Sequence, residues 1–163
     1  MKQIVSVLIL MSLFGLSGCA TTGGQTSSSL PTSYQQHVAA LKQSIQKRGG
    51  SVSQLFFLEI PSTPSAISNF LLEGMIKADS STNAMDALLT LLQKAPGAQV
   101  VVFGGNDAVT AASVGGVLKN LNTSPDHAKT TLWVALKDPS HHVEILQTAA
   151  QTKGMRLEVL QSP

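Results

Sequence analysis

Six residues in two loops of the C-terminal half have types and spacing suited to ligand binding. They are Gly104, Gly105, Asn106 and Asp107 in the first loop and Lys137 and Asp138 in the second. Each loop follows an apolar run typical of a buried strand, and parallel sheets bind ligands beyond the carboxyl ends of their strands. A Gly-Gly turn at the start of a helix exposes backbone N–H groups that can hold an anion. We therefore take these residues as a candidate small-ligand site.

The same loops also allow a purely structural interpretation. Asn106 or Asp107 can cap the helix after the first loop, and Asp138 can cap the helix after the second. Asp107 would repel a phosphate, and the sequence contains neither a P-loop nor a G-x-G-x-x-G pattern. Ser62 and Thr63 follow an earlier apolar run and would lie at the same edge of the sheet. Both interpretations, ligand site and helix caps, stay open at this point.

Residue types used in catalytic and metal sites are scattered along the chain. His141 and His142 are adjacent, so on a helix they point about 100° apart, whereas helical metal-binding pairs stand four residues apart. No serine lies in a G-x-S-x-G turn, and the nine acidic residues form no marked pair. We predict no catalytic residue, no metal ligand and no cofactor.

The apolar pattern predicts an α/β fold. Compact apolar runs at 55–60, 100–103, 131–136 and 155–160 are typical of strands, and helical spacing is found between them. Such alternation favours right-handed crossovers with helices packed over the sheet. We expect a small three-layer sandwich with about four mainly parallel strands, preceded by an N-terminal helix that begins at Ser33.

Two helices are predicted between the first two strands. Thr63 followed by Pro64 is typical of a helix start. Apolar residues then recur at helical spacing, namely Ile67, Phe70, Leu71 and Met75. A second helix carries Met85, and we assign both Met75 and Met85 to the core.

A further helix is predicted at 107–121 and contains several small residues. Gly115 and Gly116 inside a helix cost about 1 kcal/mol each relative to alanine. We expect close approach of another backbone to compensate, either from the sheet or from a second subunit.

Composition limits the partners of this chain. Charged residues make up 12% of its 163 residues, roughly half the usual share, and the net charge is +2. No basic run is longer than Lys47-Arg48, so nucleic acid is not an expected partner. Weakly charged surfaces rich in hydroxyl and amide groups tolerate desolvation, which suits protein interfaces.

The first nineteen residues carry the most specific signal in the sequence. Lys2 precedes an apolar stretch that is too short to cross a bilayer as a helix and is typical of an export signal. It ends in Leu16-Ser17-Gly18-Cys19, which holds the single cysteine. This segment resembles the lipobox of bacterial lipoproteins. The resemblance implies cleavage before Cys19, a diacylglycerol on its thiol and an acyl chain such as palmitate on its new amine.

The resemblance also implies an organisation and a location for the chain. Residues 1–18 form a lipoprotein signal peptide, and 19–32 form a lipidated flexible tether rich in Gly, Ser and Thr. Residues 33–163 form a periplasmic α/β domain. Position 20 is alanine and not aspartate, which by the same resemblance implies the periplasmic face of the outer membrane.

We expect a non-catalytic structural or assembly component of an envelope complex. Secretion, pilus or conjugation machinery are hosts by analogy, and the partner would be an envelope protein or further copies of the chain. Two alternatives remain open. One is a small-ligand-binding lipoprotein that uses the six loop residues, and the other is an enzyme acting on cell wall or polysaccharide.

Overall fold

The computed structural model describes residues 32–163. The predicted signal peptide, Cys19 and nearly all of the predicted tether therefore lie outside the described residues. Within the described part, no helix is long and apolar enough to cross a membrane.

Helices and strands alternate along the described residues, as the sequence predicts for an α/β fold. Their bounds are α1 Thr32–Lys47, β1 Leu55–Ile60, α2 Ala66–Lys77, α3 Asn83–Lys94, β2 Gln99–Gly104, α4 Asp107–Asn120, β3 Thr131–Leu136, α5 Val143–Thr152 and β4 Arg156–Gln161. Short 3₁₀ helices lie at Pro125–Lys129 and Pro139–His141. The predicted bounds of β1 and β3 match those observed.

The four strands form one parallel sheet in chain order, β1-β2-β3-β4. Phe57 pairs with Val101, Val101 with Trp133, and Trp133 with Glu158. Each connection leads to the adjacent strand, and the chain moves across the sheet in one direction only. Right-handed connections therefore place every crossover helix on the same face of the sheet. The helices α2 to α5 lie on that face, and α1 covers part of the other.

Two apolar cores fill the space above and below the sheet. On the crossover face, Val100, Val102, Leu132 and Val134 are completely buried under helix side chains such as Leu146. On the opposite face, Leu41 and Ile45 of α1 are completely buried against a sheet surface that includes Val101, Phe103 and Trp133. The three-layer arrangement is therefore confirmed.

Helix α2 packs mainly against α4, and α3 packs against both α4 and β1, whereas α4 and α5 lie against the strands. Four strands about 4.8 Å apart are about as wide as two helices of roughly 10 Å, so four helices cannot all lie flat on this sheet. Only Asn69 and Ile76 of α2 are buried. The crowding leaves the remaining face of α2 to solvent.

Several predicted helix starts are wrong by one to four residues. Helix α1 begins at Thr32 and not Ser33, so Ser33 lies within its first turn. Ser65 and not Thr63 caps α2, because the Thr63 N–H donates to the Asn69 Oδ1 at 2.9 Å and holds Thr63 in the preceding turn. Asp138 opens a 3₁₀ helix, and α5 begins only at Val143.

Two expectations about packing are corrected by the structure. Met85 is 4% exposed and belongs to the core as predicted, but Met75 is 57% exposed and does not. A Cβ at Gly116 would lie 2.8 Å from the Met85 Cε, so the close approach comes from α3 and not from the sheet. A Cβ at Gly115 would meet no atom within 4 Å.

Candidate functional site

The six loop residues come together at the carboxyl edge of the sheet, and we call this group the crest. The Asp107 carboxylate accepts hydrogen bonds from the backbone N–H groups of Lys137 at 2.9 Å and Asp138 at 2.7 Å. The Lys137 Nζ donates to the carbonyl oxygen of Gly105 at 3.3 Å. These bonds join the loop after β2 to the loop after β3. The Asp107 carboxylate thus accepts from two backbone N–H groups, which are then not available to a bound anion.

Two further crest residues cap helices. The Asn106 Oδ1 accepts from the Val109 N–H at 3.0 Å and caps α4. The Asp138 Oδ1 accepts from both the hydroxyl and the backbone N–H of Ser140. Because these bonds stabilise the ionised form, they lower the pKa of Asp138 below its ordinary value.

The glycines of the crest allow close packing of neighbouring chain segments. A Cβ at Gly104 would lie 2.8 Å from the carbonyl oxygen of Ile60, at the end of β1. A Cβ at Gly105 would collide with the Ser62 hydroxyl. Ser62 thus lies at the crest edge, as predicted from its position after β1.

A cleft of about 700 Å³ separates the crest from α1, and we call it the α1 cleft. Its lining includes Tyr34, His37, Glu59, Phe103 and Lys137. The His37 ring stacks on Phe103 with ring centroids 5.0 Å apart. Glu59 could have been found from the sequence, since it lies near the carboxyl end of a predicted strand. Tyr34 and His37 could not, because nothing in their own segment indicates where α1 docks.

The histidines do not converge on one point. His141 and His142 line a different surface, between α2, α4 and α5, and His127 is buried in the 3₁₀ helix before β3. Among residues 32–163, no group of three or more His, Cys, Asp or Glu side chains is placed to hold a metal ion.

The exposed face of α2 carries four large apolar side chains, which we call the α2 stripe. The exposed fractions are 75% for Ile67, 74% for Phe70, 60% for Leu71 and 57% for Met75. Their helical spacing was predicted, but the spacing of a stripe does not reveal whether it faces a core or solvent. The structure turns this stripe outward.

Beside the stripe runs a groove of about 340 Å³ between α2 and α5, which we call the α4 groove. Small residues of α4 contribute to its lining, namely Ala108, Ala111, Ala112, Gly115 and Gly116. Ile145 of α5 lines the groove and is 69% exposed. Ala111 is buried, and the other four small residues are half-buried, so α4 forms the floor of the groove.

Charged residues along this groove are paired within the chain. Glu73 and Lys77 form an ion pair one turn apart on α2, where they separate the stripe from the groove. Asp79 and Lys119 form a second ion pair at 2.6 Å. The apolar surface is thus bordered by charges that already neutralise each other.

Comparison of the chain with protein-family models, curated proteins and solved structures finds no significant match. Functional proposals for this protein therefore rest on its own residues and geometry. Two surfaces are candidates: the crest with the α1 cleft, and the α2 stripe with the α4 groove.

Proposed function

We propose that this protein is a lipid-anchored docking module of the bacterial cell envelope. It would be held at the periplasmic face of the outer membrane through an acylated Cys19. Its role would be structural, as a non-catalytic component of an envelope complex such as a secretion, pilus or conjugation apparatus. The exposed α2 stripe is the observation that carries this proposal.

Exposed apolar surface of this extent favours an interface. Soluble domains expose single apolar side chains widely, but contiguous patches of several hundred Å² mark interaction sites. Phe70 and Met75 belong to residue types that are enriched in the buried centres of interfaces. The α4 groove extends the same surface toward Ile145.

The crest supports a structural role because its polar groups bond to one another. The Asp107 carboxylate holds two backbone amides, Asn106 and Asp138 cap helices, and Lys137 reaches a backbone carbonyl. Groups engaged in this way stabilise the loops at the edge of the sheet.

The lipobox-like segment supports the anchor. Acylation at Cys19 would add about 0.8 kcal/mol of membrane affinity per buried methylene, so several chains hold a protein stably. The predicted tether at 19–32 is rich in Gly, Ser and Thr, and a tether of that composition would have a reach of about 20 Å. The folded domain would therefore stay close to the membrane while it contacts a neighbour.

Metabolic labelling and native electrophoresis test this proposal together. Labelled palmitate should enter the wild-type chain but not Cys19→Ser, which should leave the membrane fraction. In mild detergent the wild-type protein should migrate in a complex larger than one chain, and Phe70→Ser with Leu71→Ser should shift it toward the monomer. A wild-type chain that takes up no palmitate, or that migrates only as a monomer, would overturn the proposal.

A second function, small-ligand binding, is favoured by the α1 cleft. Lys137 and Glu59 supply opposite charges there, and the half-buried His37, which stacks on the buried Phe103, supplies a flat aromatic ring. Native mass spectrometry of the protein released from its own membranes should then show a bound small molecule. Lys137→Glu should remove that molecule, whereas the exposed Lys42→Glu on α1 should retain it.

A further inference from the structure

We propose that the α2 stripe and the α4 groove form a self-complementary surface, on which a second copy of this chain docks about a twofold axis. This inference rests on the proposed docking function and names its partner. It follows from the shape, the area and the charge of the surface.

The shape fits a twofold contact because ridge and groove lie side by side on one face. The stripe projects from α2 through Phe70 and its neighbours, and the groove beside it is lined by the half-buried Gly115 and by the exposed Ile145. A twofold interface uses the same patch on both copies, so each copy must offer both halves of the fit. Rotation about an axis near α2 places the ridge of each copy toward the groove of the other, as in ordinary helix packing.

The area reaches what a specific interface needs. The stripe and Ile145 are 57–75% exposed. At about 200 Å² for a fully exposed large apolar side chain, these five residues present about 670 Å² per copy. Fully covered about a twofold axis, they would bury about 1,340 Å² in total, in the lower part of the range for specific interfaces.

The charges favour a second copy over a lipid surface. Helices that lie on anionic bilayers carry lysine and arginine available to the lipid headgroups. Here Lys77 is paired with Glu73, and Lys119 is paired with Asp79. Two such surfaces can meet without burying an unpaired charge, which would be costly.

Anchoring would strengthen this contact of modest area. Copies held through Cys19, as proposed above, share one membrane surface and meet at a raised effective concentration. A contact that is weak between free domains in solution would then be populated at the membrane.

Cysteine crosslinking in the full-length chain tests the twofold contact in its own membranes. Gly74 lies on the exposed side of α2, within the stripe, and a Cβ there would meet no atom within 4 Å. Gly74→Cys therefore adds a thiol without removing an apolar side chain. Gln43→Cys, exposed on α1 across the sheet, is the matched control. Both variants are treated with a mild oxidant and, in parallel, with a short bis-maleimide.

Gly74→Cys should give a crosslinked dimer of two identical chains, and Gln43→Cys should stay monomeric. Adding Phe70→Ser and Leu71→Ser to Gly74→Cys should reduce the dimer at least tenfold. These two side chains are mostly exposed, so the circular dichroism spectrum and protease resistance should stay unchanged.

Three results would overturn self-docking. They are the absence of a Gly74→Cys dimer, equal dimer from Gln43→Cys, and a dimer that persists when the two stripe residues are serine. A Gly74→Cys thiol that is shielded from a water-soluble maleimide without forming a dimer indicates lipid or another protein instead. A palmitate-labelled chain in a large complex without this crosslink would overturn self-docking alone and leave the proposed docking function standing.

Discussion

Replacing each of the two adjacent glycines of α4 by alanine should have different effects on stability. Alanine is favoured over glycine inside a helix by about 1 kcal/mol, because the glycine backbone loses more freedom on folding. At Gly115 the new methyl group would enter the α4 groove, where no atom outside the adjoining backbone of α4 lies within 4 Å. Gly115→Ala should therefore raise the free energy of unfolding by about 1 kcal/mol.

At Gly116 the same gain in helix stability is opposed by a steric clash with the side chain of Met85. The new Cβ would lie 2.8 Å from the Cε of Met85, a side chain that is 4% exposed and packed in the core. Because a methionine end can move, we expect this displacement to cost about 1 kcal/mol, at the low end for overpacking. Gly116→Ala should thus leave the stability roughly unchanged.

Urea unfolding of a soluble chain that begins at Ala20 measures both effects. With a slope of about 1.5 kcal/mol per molar urea, Gly115→Ala should move the midpoint up by about 0.7 M and Gly116→Ala by about zero. Measurements at two protein concentrations show any contribution from association. Met85→Leu combined with Gly116→Ala should recover part of the gain. Equal midpoints for the two alanine variants would refute this account of α4.

Three further predictions concern the crest. Gly104→Ala should lower the free energy of unfolding by about 2 kcal/mol, since its methyl group meets a backbone carbonyl that cannot turn away; an unchanged urea midpoint would contradict this. Asp107→Asn should speed hydrogen exchange at the amides of Lys137 and Asp138, because an amide side chain can accept from only one of them with its oxygen; unchanged exchange would show that the bonds are dispensable. Ser140→Ala should raise the pKa of Asp138 toward its ordinary value in an NMR titration of the carboxyl group. Because the folded-state pKa is lowered, the stabilisation by these bonds is present above the ordinary pKa and is lost as the pH falls through the lowered one, a dependence that Ser140→Ala should weaken.

The sequence located the elements well because strand and helix patterns are local. The run at 131–136 consists of apolar and β-branched residues, and it forms β3 with those bounds. Caps were harder, because several residues near a helix start can accept the same hydrogen bonds. The backbone N–H and carbonyl groups of Thr63 both form hydrogen bonds with the side chain of the buried Asn69, six positions away. Thr63 therefore lies in a turn, and Ser65 caps α2.

The sequence predicted the crest residues of the candidate site but not the contribution of α1. The crest residues end or follow strands whose carboxyl ends must share one edge, so a rule about parallel sheets placed them together, although Gly104, predicted in the loop, is the last residue of β2. The hydrogen bonds from the Lys137 and Asp138 amides to the Asp107 carboxylate could not be predicted, because they join residues about 30 positions apart in two different loops. The contribution of α1 to the cleft, through Tyr34 and His37, depended on docking across the sheet.

By itself, the sequence determined the alternation of strands and helices, the edge that collects the crest, and a lipobox-like segment around Cys19. The alternation and the lipobox-like segment depend on residues close together in the chain, and the shared edge follows from the alternation because parallel strands end at the same edge. Only the tertiary structure decided that the α2 stripe faces solvent, although its spacing is the same as that of a buried helix. The four strands lie in chain order, so right-handed crossovers place α2 to α5 on one face of the sheet. That face is too narrow for all four helices to pack flat against the strands. Helix α2, which packs mainly against α4, therefore keeps its apolar stripe exposed to solvent.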